Sequence, residues 1–212
     1  LRPKKNLKLN SYASLMASLP VSERSKMITE MTDDDAIECL YGWRFWARPN
    51  QLPPEGAWRY WLVKAGRGWG KTRTGSEWIR SRVMDGATRL AVVGRTAGDV
   101  RDVMVEGRSG ILSVFPDSQR PQYEPSKRRL TFHNGAIATT YSADEPDMLR
   151  GPEHDTAWCD ELAAWRFPDA WDQLQFGLRV GDNPRAIITT TPKPSRLIRD
   201  LLSNPECAIT HG

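Results

Sequence analysis

The sequence is poor in the residues that build metal centres and disulfide frameworks. Its 212 residues include only three cysteines, Cys39, Cys159 and Cys207, and three histidines, His133, His154 and His211. The cysteines lie far apart, no CxxC pair exists, and an odd count makes a poor disulfide framework, so a reducing cytoplasm is the simplest setting. The dispersed histidines argue against a zinc site. Long apolar runs are also missing. None exceeds four residues, as in Leu90–Val93, so no segment can span a bilayer as a helix and no membrane partner is expected. The first residues carry Arg2, Lys4, Lys5 and Lys8, as a signal peptide would, but the stretch from Leu9 to Pro20 is too rich in Ser and Asn for an apolar h-region. Leu1 stands where an initiator Met would be, so a fragment of a longer protein is expected.

Neither sign of charge dominates: 30 Lys and Arg face 26 Asp and Glu, a net +4. That balance permits a polyanionic partner without demanding one. A composition of 39% hydrophobic and 26% charged residues belongs to a globular chain, not to a fibre or a disordered tail, and the length suits one large domain with a helical appendage. Nine tryptophans are many for this length and read as packing residues.

The chain changes texture near residue 50. Residues 1–50 read as a helical segment, a lid-like extension. Ser22–Met31 is rich in helix formers, and Thr32 is the N-cap of a second helix whose first turn holds Asp33, Asp34 and Asp35, where the helix dipole favours negative charge. That helix is expected to run through Ile37, Leu40 and Tyr41 towards Phe45, before Pro49, Pro53 and Pro54 break the pattern. Residues 51–212 alternate between strands and helices. Strands are expected at Tyr60–Ala65, Leu90–Gly94, Thr156–Cys159, Ala186–Thr190 and Cys207–His211, and helices at Lys71–Met84, Asp99–Glu106, Asp169–Leu178 and Ser195–Leu202. Asn134-Gly135 between Arg129–Phe132 and Ala136–Tyr141 signals a hairpin. The fold class is therefore α/β: a mainly parallel sheet flanked by helices, with an antiparallel hairpin added.

The segment Ala65-Gly66-Arg67-Gly68-Trp69-Gly70-Lys71-Thr72 follows a predicted strand and opens a predicted helix, as a P-loop does. Triphosphate oxygens need many backbone N–H groups at close range; glycines remove the Cβ atoms in the way, and the helix N-terminus adds positive potential. Lys71 would reach the β- and γ-phosphates, and Thr72 would offer its hydroxyl to Mg2+. Ala65 stands where GxxxxGK[ST] asks for Gly, which the loop tolerates if that residue keeps a negative φ. The plain alternative is a chance Gly-Lys-Thr in a surface loop.

Asp160-Glu161 ends the buried-type strand Thr156–Cys159. An Asp at that end of a parallel strand lies beside the phosphate loop and can hold the Mg2+ shell, while Glu161 can polarise an attacking water, which favours hydrolysis over transfer to a metabolite. Two solvated acids at a strand end are the alternative. Arg150, ten residues upstream, can meet the transferring phosphoryl group from a neighbouring subunit; Arg67, within the loop, can do so in cis. From spacing alone, a structural surface arginine is the better description of Arg150. Thr189, Thr190, Thr191 and Pro192 close a strand at the nucleotide edge; the hydroxyls could sense the γ-phosphate, or simply end a β-branched strand.

Taken in this order, these motifs resemble the ATPase domain of the large terminase subunit of tailed bacteriophages, over nearly the whole chain from Trp43 to His211. That family resembles the additional-strand, catalytic-glutamate (ASCE) group of P-loop NTPases. The resemblance implies that Lys71 and Thr72 are the P-loop lysine and Mg2+ ligand, Asp160 the Walker B aspartate and Glu161 the catalytic glutamate. It implies that Arg150 falls where the family carries a trans-acting arginine finger, and that Thr190 and Thr191 belong to the coupling motif. Arg48 to Pro53 falls at the adenine-recognition segment, where Gln51 would contact the base. Ala65 is tolerated in this family's loops.

The implied cofactors are ATP and Mg2+. The implied partners are double-stranded DNA, a homo-oligomeric ring on the capsid portal, and the small terminase subunit, in the host-cell cytoplasm. Full-length members add a ribonuclease-H-like nuclease; the chain ends at Gly212, so nuclease activity is not expected here. Candidate DNA contacts are Arg101, Arg108, Arg128 and Arg129, each also readable as part of a solvated basic face. Rival functions are a helicase or remodelling ATPase, which needs a second motor lobe, a metabolite kinase, which needs a lid and acceptor site, and a nucleotide-binding scaffold without turnover.

Overall fold

A computed structural model describes residues 11–212; the basic opening stretch from Arg2 to Lys8 lies outside the described residues. The chain divides into two compact units, one ending at Pro53 and one running from Pro54 to Gly212.

The first unit holds helices α1 (Tyr12–Ala17), α2 (Val21–Glu30), α3 (Asp33–Tyr41) and α4 (Trp43–Trp46). Thr32 caps α3 as its sequence implies: its hydroxyl accepts from the Asp35 amide, and the Asp35 carboxylate accepts from the Thr32 amide, a reciprocal capping box. The single helix expected from Thr32 towards Phe45 is instead two. Gly42 takes an extended conformation (φ −73°, ψ 102°), ends α3 and starts α4. A Cβ at Gly42 would overlap the Glu38 carbonyl oxygen, so only glycine makes this corner without displacement.

The second unit is built on an eight-stranded sheet. The strands are β1 (Tyr60–Lys64), β2 (Arg89–Gly94), β3 (Gln122–Glu124), β4 (Arg129–Thr131), β5 (Ile137–Ser142), β6 (Thr156–Asp160), β7 (Arg185–Thr190) and β8 (Cys207–His211). Their order is β3-β4-β5-β2-β6-β7-β1-β8. Six strands, from β5 to β8 across the sheet, pair in parallel; the antiparallel pairings are β3–β4 and β4–β5, at one edge. The turn at Asn134-Gly135 joins β4 to β5 as expected, with Gly135 at φ 84°. The short edge strand β3 was not legible in the sequence, because three residues carry no periodic signal.

Helices α5 (Lys71–Met84), α6 (Ala97–Asp99), α7 (Ile111–Val114), α8 (Asp169–Gly177) and α9 (Arg196–Leu202) complete the unit. The helix expected over Asp99–Glu106 is a wide π-helix across Val100–Val105, in which the Glu106 amide reaches back to the Arg101 carbonyl. Gly94, at the end of β2, lets this segment approach: a Cβ there would press into Val100 and Met104.

Both faces of the sheet are buried, so its strands alternate between two cores, not between core and water. Trp61 and Val63 of β1 join Val92, Trp158 and Ile187 under α5, where Trp78, Ile79 and Val83 close the layer. Tyr60 and Leu62 point the other way, to Val93, Cys159 and Ile188, and pack against Trp171 and Leu174 of α8 and Ile198 of α9. Full burial of each large apolar side chain contributes about 1.5–3 kcal/mol before the entropy of ordering it. These two cores hold the carboxyl ends of β1, β6 and β7 side by side. The register sets Asp160 opposite Thr189 and Lys64 opposite Thr190.

Candidate active site

The loop from Ala65 to Gly70 joins the carboxyl end of β1 to the first turn of α5. Its two positive-φ residues are Gly68 (77°) and Gly70 (97°); Ala65 is not among the positive-φ residues, and its methyl is buried, so the missing glycine causes no strain. A Cβ added to Gly66 or Gly68 would meet nothing within 4 Å, leaving open space on the loop where phosphate oxygens fit. The Trp69 indole packs against the core of the α5 face and over Gly212 at the end of β8, so Trp69 belongs to the loop through its backbone while its side chain anchors it.

Lys71 is largely buried. Its Nζ donates to the Ala65 carbonyl (3.1 Å), the Gly66 carbonyl (3.2 Å) and the Thr191 hydroxyl (3.1 Å), and lies 3.5 Å from Glu161 Oε1. Glu161 is held by Thr191: the Thr191 amide donates to Oε2 (3.0 Å) and its hydroxyl to Oε1 (2.8 Å). Glu161 itself has a left-handed backbone (φ 51°, ψ 41°), which costs a non-glycine residue about 1 kcal/mol or more. The amide of Glu161 donates to the Thr189 carbonyl and its own carbonyl accepts from Ala164, which together impose that turn.

Asp160 sits one residue earlier on β6. Its Oδ1 accepts from the Thr189 hydroxyl at 2.6 Å, and its carbonyl accepts from the Trp165 indole at 2.9 Å. Burial pushes the Asp160 carboxyl up to about 6, helped by the charge of Glu161 and opposed by Thr189 and Lys71. A carboxylate kept this dry, with one strong side-chain donor, has a deficit that a cation would offset. Thr72, Asp160 and Glu161 line one cleft of about 550 Å³ with Arg67, Arg95, Asp99, Thr191 and Lys193. A second cleft of about 590 Å³ shares Arg67, Thr72, Val103 and Glu161 and adds Gly66, Gly68, Gly70 and Lys71, together with Asp102 of the π-helix and Arg108. A threonine hydroxyl and a carboxylate facing one polar cleft are the oxygen donors that Mg2+ takes, so the residues present fit that ion.

The expected residues thus divide. Arg67, Gly66, Gly68, Gly70, Lys71, Thr72, Asp160, Glu161 and Thr191 converge on the two clefts. Thr190 does not face them: it is buried, and its hydroxyl accepts from the Ala163 amide, bracing the turn after Glu161. Arg150 follows the short turn Pro146–Leu149, is exposed, and lines neither cleft. Gln51 lies in the first unit, buried on the turn Pro49–Gln51, where its Oε1 accepts from the Arg48 amide. Sequence reasoning missed Thr189 as a partner of Asp160, and Arg95 and Lys193 as cleft residues. The Thr189 link depends on strand register, but Arg95, at the carboxyl end of β2, could have been found from its place at a parallel strand end.

The sequence pattern of terminase large subunits of the T4likevirus type, N-terminal domain, matches residues 62–205. The chain belongs to that family. Solved structures agree on the P-loop NTPase fold. The ATPase domain of the large terminase of Thermus phage P74-26 is 18% identical with a TM-score of 0.62, over 85% of this chain and 84% of that one. The large terminase of another thermophilic bacteriophage, in complex with ATP-gamma-S, is 17% identical with a TM-score of 0.58, over 82% of this chain and 43% of that one. The HK97 bacteriophage large terminase is 18% identical with a TM-score of 0.57, over 72% of this chain and 35% of that one. The chain therefore spans under half of these two longer terminases. No curated protein matches it by sequence.

Proposed function

We propose that this terminase domain hydrolyses ATP and that the hydrolysis drives double-stranded DNA into a procapsid. The observation that carries the reading is the convergence of Lys71, Thr72, Asp160, Glu161 and Thr191 on one polar edge of the sheet. Lys71 and the amides of the Gly66–Gly70 loop bind the β- and γ-phosphates. Thr72 and Asp160 hold Mg2+, which when bound supplies positive charge to the phosphate oxygens. Glu161 takes the proton of the attacking water. Both of its oxygens accept from Thr191, which fixes the orientation of the carboxylate and leaves a lone pair on each oxygen for the water. Thr191 is thereby the point at which turnover is felt by the segment leading to α9. Arg67 stabilises the transferring phosphoryl group in cis and Arg150 from a neighbouring subunit; the exposed position of Arg150, with no ion pair among the described residues, suits that role.

The working form is a homo-oligomeric ring on the capsid portal, supplied with DNA by the small terminase subunit, in the host cytoplasm. Residues 1–50 act as a lid-like extension to the ATPase core of 51–212. Of the four candidate DNA contacts, Arg101 is engaged by Asp102 and Arg128 by Glu145, whereas no ion pair engages Arg108 or Arg129 among the described residues. Arg108 and Arg129 are the better contacts for backbone phosphates.

Lys71→Ala tests the reading. Calorimetric titration with Mg-ATP-gamma-S should show binding by the wild type and none by the variant. Equal binding by both would reject the phosphate-loop assignment.

A further inference from the structure

Trp158 stands in the middle of β6 and is fully buried. Gly75 of α5 lies against its indole so closely that a Cβ there would overlap the ring. The helix that carries Lys71 and Thr72 is therefore seated directly on Trp158. The indole N–H donates to the Thr189 hydroxyl oxygen at 2.9 Å. That hydroxyl lies 2.6 Å from Asp160 Oδ1 and 3.4 Å from the Cys159 carbonyl.

The direction of this chain follows from chemistry. An indole N–H can only donate. Thr189 Oγ1 must therefore accept from Trp158, and its single proton goes to another acceptor. A carboxylate at 2.6 Å outcompetes a carbonyl at 3.4 Å, because hydrogen bonds to an ionised acceptor are shorter and stronger. The proton of Thr189 is thus committed to Asp160, and one oxygen of the carboxylate is tied to the sheet. Thr189 is wholly buried and lines neither cleft, so it has no direct route to a nucleotide.

We infer that Trp158 and Thr189 are positioning residues for Asp160, a one-way hydrogen-bond relay that holds its carboxylate in register with the Thr72 hydroxyl for a divalent cation. The inference rests on the proposed nucleotide site. A purely structural pairing, in which Thr189 serves only to satisfy the buried indole, makes a different prediction, because it leaves metal affinity alone.

The test measures ATP-gamma-S affinity across a Mg2+ titration and again in EDTA, for the wild type, Thr189→Val, Thr189→Ser and Trp158→Phe. Losing an outer partner of a metal-binding group costs about 10–100-fold in metal affinity in other sites. Thr189→Val should raise the Mg2+ concentration for half-maximal binding about tenfold by that measure, with metal-free binding unchanged. Thr189→Ser keeps the hydroxyl and should match the wild type, and Trp158→Phe should fall between them. Should buried valine prevent folding, Thr189→Ala serves the same comparison. A Mg2+ midpoint within about twofold of wild type in the hydroxyl-free variant, or a parallel loss of metal-free binding, overturns the relay. Absence of nucleotide binding by the wild type itself would instead reject the proposed function.

Discussion

Strand β6 is bracketed by two aspartates, and the two ends of that strand do opposite work. Asp155, just before it, gives a single oxygen, Oδ2, to three donors: the Thr88 amide (2.7 Å), the Thr88 hydroxyl (3.2 Å) and the Arg89 amide (2.9 Å). Its own backbone pairs with Arg89 and Arg185, so it staples the starts of β2 and β7 to β6. Asp160, at the other end, has one strong side-chain donor in Thr189, and burial lifts its carboxyl to about 6. Asp155 is buried with three donors gathered on one oxygen while its Oδ1 has no partner among the described residues, whereas Asp160 is only partly buried, takes the Thr189 hydroxyl on Oδ1, and faces the cation in the proposed site.

Removing each carboxylate separates the two roles most sharply. Asp155→Ala leaves three donors without their acceptor and should destabilise the fold by about 2–4 kcal/mol in urea unfolding. Asp160→Ala should abolish Mg2+-dependent nucleotide binding while the unfolding midpoint holds or rises, because a dehydrated charge is gone. If Asp155→Ala left stability intact, or Asp160→Ala unfolded the domain, the contrast would fail.

The pH dependence sharpens the same contrast. The folded-state pKa of Asp160 lies above its ordinary 3.8, so the folded state holds that proton more tightly. Its contribution is therefore a loss of stability as pH rises from about 4 to about 6, on the order of 2 kcal/mol. His154 acts in the opposite sense: burial pushes it down to about 4, so its contribution weakens stability as pH falls below 6.5. The net curve of the wild type mixes the two, and the difference between wild type and Asp160→Ala isolates the aspartate. A difference that is flat between pH 4 and 6 would contradict the dry environment assigned to it. The smallest effect is expected of Thr88→Val, which removes one of the three donors to Asp155. It should cost about 1 kcal/mol and leave Mg2+-dependent binding unchanged; a loss of binding would mean that the two ends of the strand are coupled.

Much of the fold and part of the site could be read from the chain. The apolar run Tyr60–Val63 followed by glycines and Lys71 marks β1, the loop and the start of α5, and α5 ends at Met84 where expected. The cap at Thr32 was visible because a capping box is a local device. The break at Gly42 was not, since a glycine that scores only as a weak helix former says nothing about a corner. The π-helix after Asp99 was hidden because its wider turn uses the same residues as an α-helix. At the site, the acids and loop residues announce themselves by type and spacing. The partners that set their geometry do not. Thr189 meets Asp160 only through the register of β6 and β7, and Trp158 looks like any other core tryptophan until Gly75 is found beneath it.

The central claim is that the edge formed by β1, β6 and β7 hydrolyses ATP with Glu161 as the base. Phosphate release and Mg-ATP binding, measured on the same samples of wild type and Glu161→Gln, test it most directly. The account predicts that the variant binds nucleotide as the wild type does while hydrolysis falls by about 10²–10⁴-fold. Undiminished phosphate release from Glu161→Gln would contradict it.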